Sequence, residues 1–395
     1  MTGTGDTERA RRLRSELAAA VVRDERADGW RQAVETVPRH RFTPGFYLPA
    51  EKPSPRGFTW WEPVTAEHDP ERWLTAAYTN QSLVTQLDGD EPDWENPEPR
   101  DGGSPTSSST LPSLVLRMWE DADLAEGQDI LEIGTGTGYS TALACERYGS
   151  DAVTTVEVDN HRLEQAATAL YGLGYTPDLA VADGLYGYWP SAPFDRVVAA
   201  CSVRTVPRAW IAQTRPGGKI LVTLGGWQFG FGRTLLTVHA DGTASGPLLP
   251  GTVSFMLARP HQAPGFGNPA HWSSLLAEAF PTTTRHAIDW LTAETEEAFF
   301  TRFLIQSALP TGQITTLDGA TFLIDVTTGS VASLTTEDDG LFVRQAGPVR
   351  LWDRAEEVLD AHAAAGHPGP EEFRLTVDVV GQHLQHPEMP AISLR

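Results

Sequence analysis

Cysteine is almost missing from this chain, which holds only Cys145 and Cys201. Two thiols build no disulfide framework, and neither stands in the paired Cys/His spacing that zinc requires, so no metal is expected. Both sit in apolar or small-residue stretches, where a thiol is a buried, inert side chain. Positive charge is scarce too, with 30 Lys and Arg against 52 Asp and Glu and a net charge of −22. So acidic a chain repels phosphate backbones, and no nucleic-acid partner is expected. Long hydrophobic runs are also lacking. The opening MTGTGDTERARRLRSELAAAVVRDER has one short apolar stretch before charge returns. That is too little for a secretory core or for a span of about 20 apolar residues, so the expectation is a cytoplasmic protein with no membrane partner.

Apolar residues nevertheless make up 40% of the chain, enough for a real core, and 395 residues suggest two or three domains at ~150 each. Residues 7–27 place Leu13, Leu17, Ala20 and Val21 at helical spacing. Residues 88–110, DGDEPDWENPEPRDGGSPTSSST, are acidic and then small and polar, and read as a flexible loop. From Leu114 short apolar strands alternate with helices: DILEIG, YSTALACERYG, AVTTVEVD, HRLEQAATALYGLG, LAVADG, FDRVVAAC, KILVTLGG. Strand–helix alternation with short connections is the pattern of a parallel sheet covered on both faces, an α/β fold. After Gly230 the text changes to hairpins with DG and TG turns and two amphipathic helices, ETEEAFFTRFLIQSAL and LWDRAEEVLDAHAAAG, an α+β region.

The glycine run ILEIGTGTGYS follows a strand and opens a helix, with Gly134, Gly136 and Gly138 in a turn where the backbone can approach a ligand closely. Glu157 closes the next strand, near the distance at which an acid accepts from a ribose diol. A dinucleotide site has the spacing GxGxxG, whereas this run is GxGxG with Glu132 just before it. A carboxylate there disfavours a pyrophosphate and suits the cationic end of a sulfonium amino acid. Asp183 and Gly184 end the third strand, where an acid reaches an adenine amino group. The reading is therefore S-adenosyl-L-methionine, leaving as S-adenosyl-L-homocysteine, bound by Glu132, Gly134, Gly136, Gly138, Glu157, Asp183 and Gly184.

In this order VPRHRFTP, a Ser/Thr-Pro segment, ILEIGTGTGYS, VTTVEVD, ADG, FDRVVAAC and RPGGKILVTLGG resemble the protein-L-isoaspartate O-methyltransferases over roughly residues 30–228. The resemblance implies a Rossmann-like class I S-adenosylmethionine-dependent methyltransferase sheet with helices on both faces. It divides the chain into a catalytic domain over 1–230, helical over 1–80, and a C-terminal α+β domain over 231–395 that recognises substrate peptide. In the family a GQTISxP loop carries a serine beside the substrate carboxylate. Here the stretch reads TSSSTLP, which puts Thr110 at that serine's position as the catalytic hydroxyl, while Ser107 and Ser108 replace the Gly-Gln-Thr half. Ser107, Ser108 and Ser109 are expected to contact the peptide. The tail from Gly347 is similar to isoaspartyl-methyltransferase homologues of peptide natural-product pathways, most closely those accompanying ATP-grasp peptide maturases (graspetides), with a related set serving lanthipeptides. That likeness implies methylation of an aspartate in a modified, cross-linked precursor peptide, the ester then closing to an aspartimide. The alternatives are an isoaspartyl repair enzyme and a non-catalytic module that binds a precursor peptide.

Overall fold

The computed structural model describes residues 7–22, 28–317, 319–337 and 340–394. It divides into two compact units, Met1–Ala200 with Ala212–Lys219, and Cys201–Ile211 with Ile220–Arg395. The division falls inside strands near residues 200 and 220, not at residue 230 where the composition changes. Chain identity switches in mid-strand because a strand's pairing, and not its composition, decides which core it serves.

The first unit opens with helices α1 (Glu8–Val21) and α2 (Asp28–Thr36). Thr7 caps α1 by accepting from Ala10 N, and Ala10, Leu17, Ala18 and Val21 form its buried stripe. The end of the expected helix at residues 23–27 lies outside the described residues. The expected helical region over 1–80 is in fact mixed. It holds strands β1 (Gly45–Pro49) and β2 (Trp60–Thr65) and helix α3 (Pro70–Ala77), which Asp69 caps with Pro70 at its first turn. Strands β3 (Leu83–Leu87), β4 (Arg100–Asp101) and β5 (Pro105–Ser109) complete an antiparallel sheet in the order β4-β2-β1-β3-β5. The region expected as a flexible loop over 88–110 therefore ends in two strands. Its Ser/Thr stretch has no helical or turn preference strong enough to resist pairing with the buried strand β3, Leu83 opposite Ser109 and Val84 opposite Ser108. Trp61, half-buried on β2, packs with Tyr47, Val84 and Leu87.

Helix α4 (Pro112–Asp121) leads to the alternating half: β6 (Ile130–Ile133), α5 (Tyr139–Tyr148), β7 (Val153–Glu157), α6 (Asn160–Gly172), β8 (Asp178–Val181) and β9 (Phe194–Val203). In this unit β9 up to Ala200, β6, β7 and β8 are neighbours in that order, all parallel. Strand β6 is wholly buried, as an apolar strand between two helical layers must be.

Helix α7 (Arg208–Ala212) and strand β10 (Thr214–Gly225) carry the chain on. In the second unit β10 is followed by β11 (Phe231–Val238) and β12 (Ala244–Pro247), then by α8 (Pro269–Ala277), β13 (Thr282–Thr283) and α9 (Glu296–Ala308). Strands β14 (Gln313–Leu317), β15 (Ala320–Asp325), β16 (Ser330–Glu337) and β17 (Gly340–Ala346) precede α10 (Leu351–Ala364), and β18 (Arg374–Val377), β19 (Gln382–His386) and β20 (Met389–Leu394) end the chain's described part. The order β10-β11-β12-β18-β19-β20 makes one sheet and β13-β17-β16-β15-β14 another. The expected DG and TG hairpins are present as β11–β12 and β15–β16. Both expected helices are present too, as α9 and α10. Leu309, Leu323, Leu334, Val343 and Trp352 share the core between them. Among the described residues no helix is long and apolar enough to cross a membrane.

Candidate active site

The carboxyl ends of β6, β7 and β8 bring the glycine turn, Glu157 and Asp183 to one edge of the sheet, where open α/β sheets bind ligands. Gly134, Gly136 and Gly138 all have positive φ, 97°, 54° and 87°. The turn is tied down by Gly134 N and Thr135 N donating to Val156 O, at 2.9 and 3.2 Å. Gly138 has a second reason to be glycine: a Cβ there would meet Ala166 Cβ of α6 at 3.1 Å. Glu157 is half-buried. Its Oε2 accepts from Gly136 N at 2.9 Å and its Oε1 from Asp159 N at 3.1 Å, which fixes the carboxylate while leaving each oxygen a further lone pair. Asp183 Oδ1 accepts from Leu185 N at 3.0 Å and so holds the turn that contains Gly184.

Glu132 departs from its expected role. It is completely buried beneath the turn, with Oε2 accepting from Thr141 Oγ1 at 2.6 Å and Thr155 Oγ1 at 3.0 Å. Thr155 is in turn bonded to Thr135 Oγ1 at 2.8 Å. Burial pushes the Glu132 carboxyl up, against the lowering effect of the Ser140, Thr141 and Thr155 hydroxyls. In this position the side chain braces β6, β7 and α5.

Strand β5 closes the site. A Cβ placed on Gly136 would stand 3.6 Å from the Ser108 carbonyl oxygen, so the Ser/Thr strand lies directly over the glycine turn. Side chains of a strand alternate between faces, and here the alternation separates the expected contacts. Ser107 and Ser109 are buried. Ser107 Oγ accepts from Thr85 Oγ1 at 3.0 Å, and Ser109 Oγ accepts from Arg39 Nε at 3.2 Å. Both belong to the core face and are corrected from peptide contacts to supports. Ser108 and Thr110 face the other way, half-exposed, and neither hydroxyl makes a hydrogen bond among the described residues.

Arg39, in the segment VPRHRF, was missed by the sequence reading. It is fully buried, and its guanidinium donates to the carbonyls of Ala77, Thr79 and Gln81 on one side and of Ser109 and Thr110 on the other, at 2.9–3.2 Å. Burial lowers its pKa to about 10. Six acceptors, in segments 77–81 and 109–110, make Arg39 the clamp that sets where Thr110 stands. His40 binds Tyr78 Oη through Nδ1 at 2.6 Å. Two further ties reach α6: Gln86 Nε2 on β3 donates to Oδ2 of its N-cap Asp159 at 3.1 Å, and Glu91 of the 88–110 segment pairs with the buried Arg162. Cys145 is buried, and burial pushes its thiol up to about 12, an inert group. Among the described residues no group of three or more His, Cys, Asp or Glu is placed to hold a metal ion.

The parallel strand order and a glycine turn facing an acid on the next strand define a class, the class I S-adenosylmethionine-dependent methyltransferases. Within it, residues 73–231 match the family model for protein-L-isoaspartate(D-aspartate) O-methyltransferase, and this segment is isoaspartyl-methyltransferase-like. The chain is 37% identical over 135 residues to the protein-L-isoaspartate O-methyltransferase of Thermococcus onnurineus, a match covering 34% of this chain and 60% of that protein. It is 34% identical over 158 residues to protein-L-isoaspartate O-methyltransferase 1 of Archaeoglobus fulgidus, covering 40% of this chain and 65% of the other. The chain thus spans 60–65% of the length of these relatives. A solved protein-L-isoaspartate O-methyltransferase structure aligns over 96% of this chain and 99% of its own, at 20% identity and a TM-score of 0.49.

Proposed function

We propose that this protein transfers a methyl group to a side-chain carboxylate of the isoaspartyl type in a polypeptide. The observation that carries the reading is the match of residues 73–231 to the isoaspartyl methyltransferase family, which takes in β5, the glycine turn, Glu157 and Asp183. The residues present fit S-adenosylmethionine. Glu157 has lone pairs left for two ribose hydroxyls, Asp183 at the third strand's end suits the adenine amino group, and the three glycines of the turn leave room for the amino-acid portion. When bound, the sulfonium supplies an electrophilic methyl group. A carboxylate, with an ordinary pKa near 3.9, is already a nucleophile at pH 7, so no strong general base is required. The protein's own task is to align carboxylate, methyl and sulfur and to exclude water. Thr110, whose hydroxyl has no hydrogen-bond partner among the described residues, donates to the acceptor carboxylate, and Ser108 on the same face contacts the peptide.

A second reading is favoured by one observation: the Gly-Gln-Thr half of the family's loop is here Thr106, Ser107 and Ser108. This change reshapes the acceptor side and supports a cross-linked, graspetide-type precursor whose aspartate ester closes to an aspartimide. The second unit would then extend recognition beyond the reacting residue. Methyl incorporation, read by mass spectrometry on an isoaspartyl peptide, a macrocyclised ester- or amide-linked peptide and its linear form at matched concentration, tests both. The isoaspartyl peptide as best substrate supports the repair-type reading, the macrocycle as best supports the maturation reading, and no methyl ester on any of the three sinks the proposal.

A further inference from the structure

The second unit contains a small, open pocket of about 20 Å³, room for one small polar group, lined among others by Arg204, Gly226, Phe303, Ser307, Pro310 and Leu394. Its polar lining is mostly committed. Ser307 Oγ donates to Phe303 O at 2.7 Å, and the Gln306 amide is paired both ways with the Gly230 backbone, at 2.7 and 3.2 Å. Arg204 is different. Its guanidinium carbon sits 4.1 Å from the Trp227 ring centroid, and of its five N–H donors one, on Nη2, reaches Pro310 O at 2.7 Å. Its side chain makes no other hydrogen bond and no ion pair among the described residues, in a chain with 52 carboxylates. The aromatic face and the Pro310 carbonyl hold the planar fork in place. Phe303, Pro310 and Leu394 add apolar walls.

We propose that this pocket binds a carboxylate on a short aliphatic stem, gripped bidentately by Arg204. A planar guanidinium matches the two oxygens of a carboxylate, and apolar walls suit the methylenes behind it. In the working protein the occupant is an acidic side chain of the polypeptide substrate other than the one methylated, an assignment of the occupant that rests on the function proposed above. Such a contact offsets locally the repulsion that a protein of charge −22 exerts on an acidic peptide.

The test is calorimetric titration of the full chain, without methyl donor, with N-acetyl-glutamate N-methylamide and with its glutamine counterpart. The glutamate probe is expected to bind at least tenfold more tightly, with Arg204→Gln removing the preference. Equal affinities for the two probes, or a preference unchanged in Arg204→Gln, overturns the proposal. Should that variant not fold by its melting curve, Arg204→Lys keeps the charge without the planar fork. A reduced preference in it supports the site and an undiminished one overturns it. Because no turnover is measured, failure of methyl transfer would remove the substrate reading and leave this binding result standing, and the reverse holds equally.

Discussion

The glycine turn and strand β5 lie against each other and share one site, yet they are built on opposite principles. The turn works through its backbone: positive φ angles at Gly134, Gly136 and Gly138, and N–H groups aimed at Val156 and Glu157. Strand β5 works through side chains, and half of them are turned inward. Ser107 and Ser109 hold the strand to β3 and Arg39, while Ser108 and Thr110 face out. Cofactor-side geometry is thus set locally by residue type, and acceptor-side geometry is set from a distance by what β5 pairs with.

Removing the clamp should break the comparison most severely. Arg39→Ala leaves several buried carbonyls without a donor, at about 1–3 kcal/mol for each unsatisfied group. A loss of about 3 kcal/mol or more lowers the first unit's melting point by ~6–12 °C. Thermal unfolding followed by circular dichroism checks this, and methyl transfer should vanish with it. A melting point within ~2 °C of the parent would show that β5 does not depend on Arg39.

Next comes the turn's partner. Glu157→Ala removes a carboxylate acceptor for the ribose hydroxyls and frees Gly136 N–H. Charge-assisted hydrogen bonds contribute about 1.5–3 kcal/mol, so S-adenosylmethionine affinity measured by calorimetry should fall tenfold or more. Unchanged affinity would move the cofactor away from this edge.

The two faces of β5 can be separated by a pair of variants. Thr110→Ala should slow single-turnover methyl transfer by roughly tenfold with cofactor affinity and melting point kept, because its hydroxyl bonds to no described residue of the protein. Ser107→Ala should do the opposite, costing about 1 kcal/mol of stability through the lost Thr85 bond and leaving the rate nearly intact. Matching effects from both variants would erase the distinction between faces.

The smallest effect concerns Glu132. Its folded-state pKa is raised by burial, so above pH 4.5 the unfolded chain releases this proton more readily than the folded one. Ionisation therefore costs folded stability as pH climbs. Glu132→Gln, which keeps a carbonyl for Thr141 and Thr155, should gain stability relative to the parent between pH 4 and pH 8 in urea titrations. A difference independent of pH would mean that Glu132 titrates normally.

Much of the alternating half was legible. The strands β6, β7 and β8 are short apolar runs ended by Gly or an acid, and the helices between them close at Gly149 and near Gly172, so period and punctuation agree. Glu157 and Asp183 followed because strand ends in such a sheet share one edge. Illegible were the strands in 88–110 and the role of Arg39. A run of serines carries no periodic signal, and an arginine's burial becomes visible only when the carbonyls of residues 77–81 and 109–110 are brought around it. The two-unit boundary was misjudged for a related reason, since composition changes where a surface changes and cores are divided by pairing.

By itself, then, the sequence determined the α/β half and the location of the turn. Glycine at positive φ and a carboxylate at a strand end are local requirements, written in the residues that meet them. Which serines face the substrate and which the core, that Glu132 supports the turn from beneath, and that Thr110 is held in place by Arg39 were decided only in the tertiary structure. A strand's alternation has a phase, and only the partner strand and the core behind it set that phase.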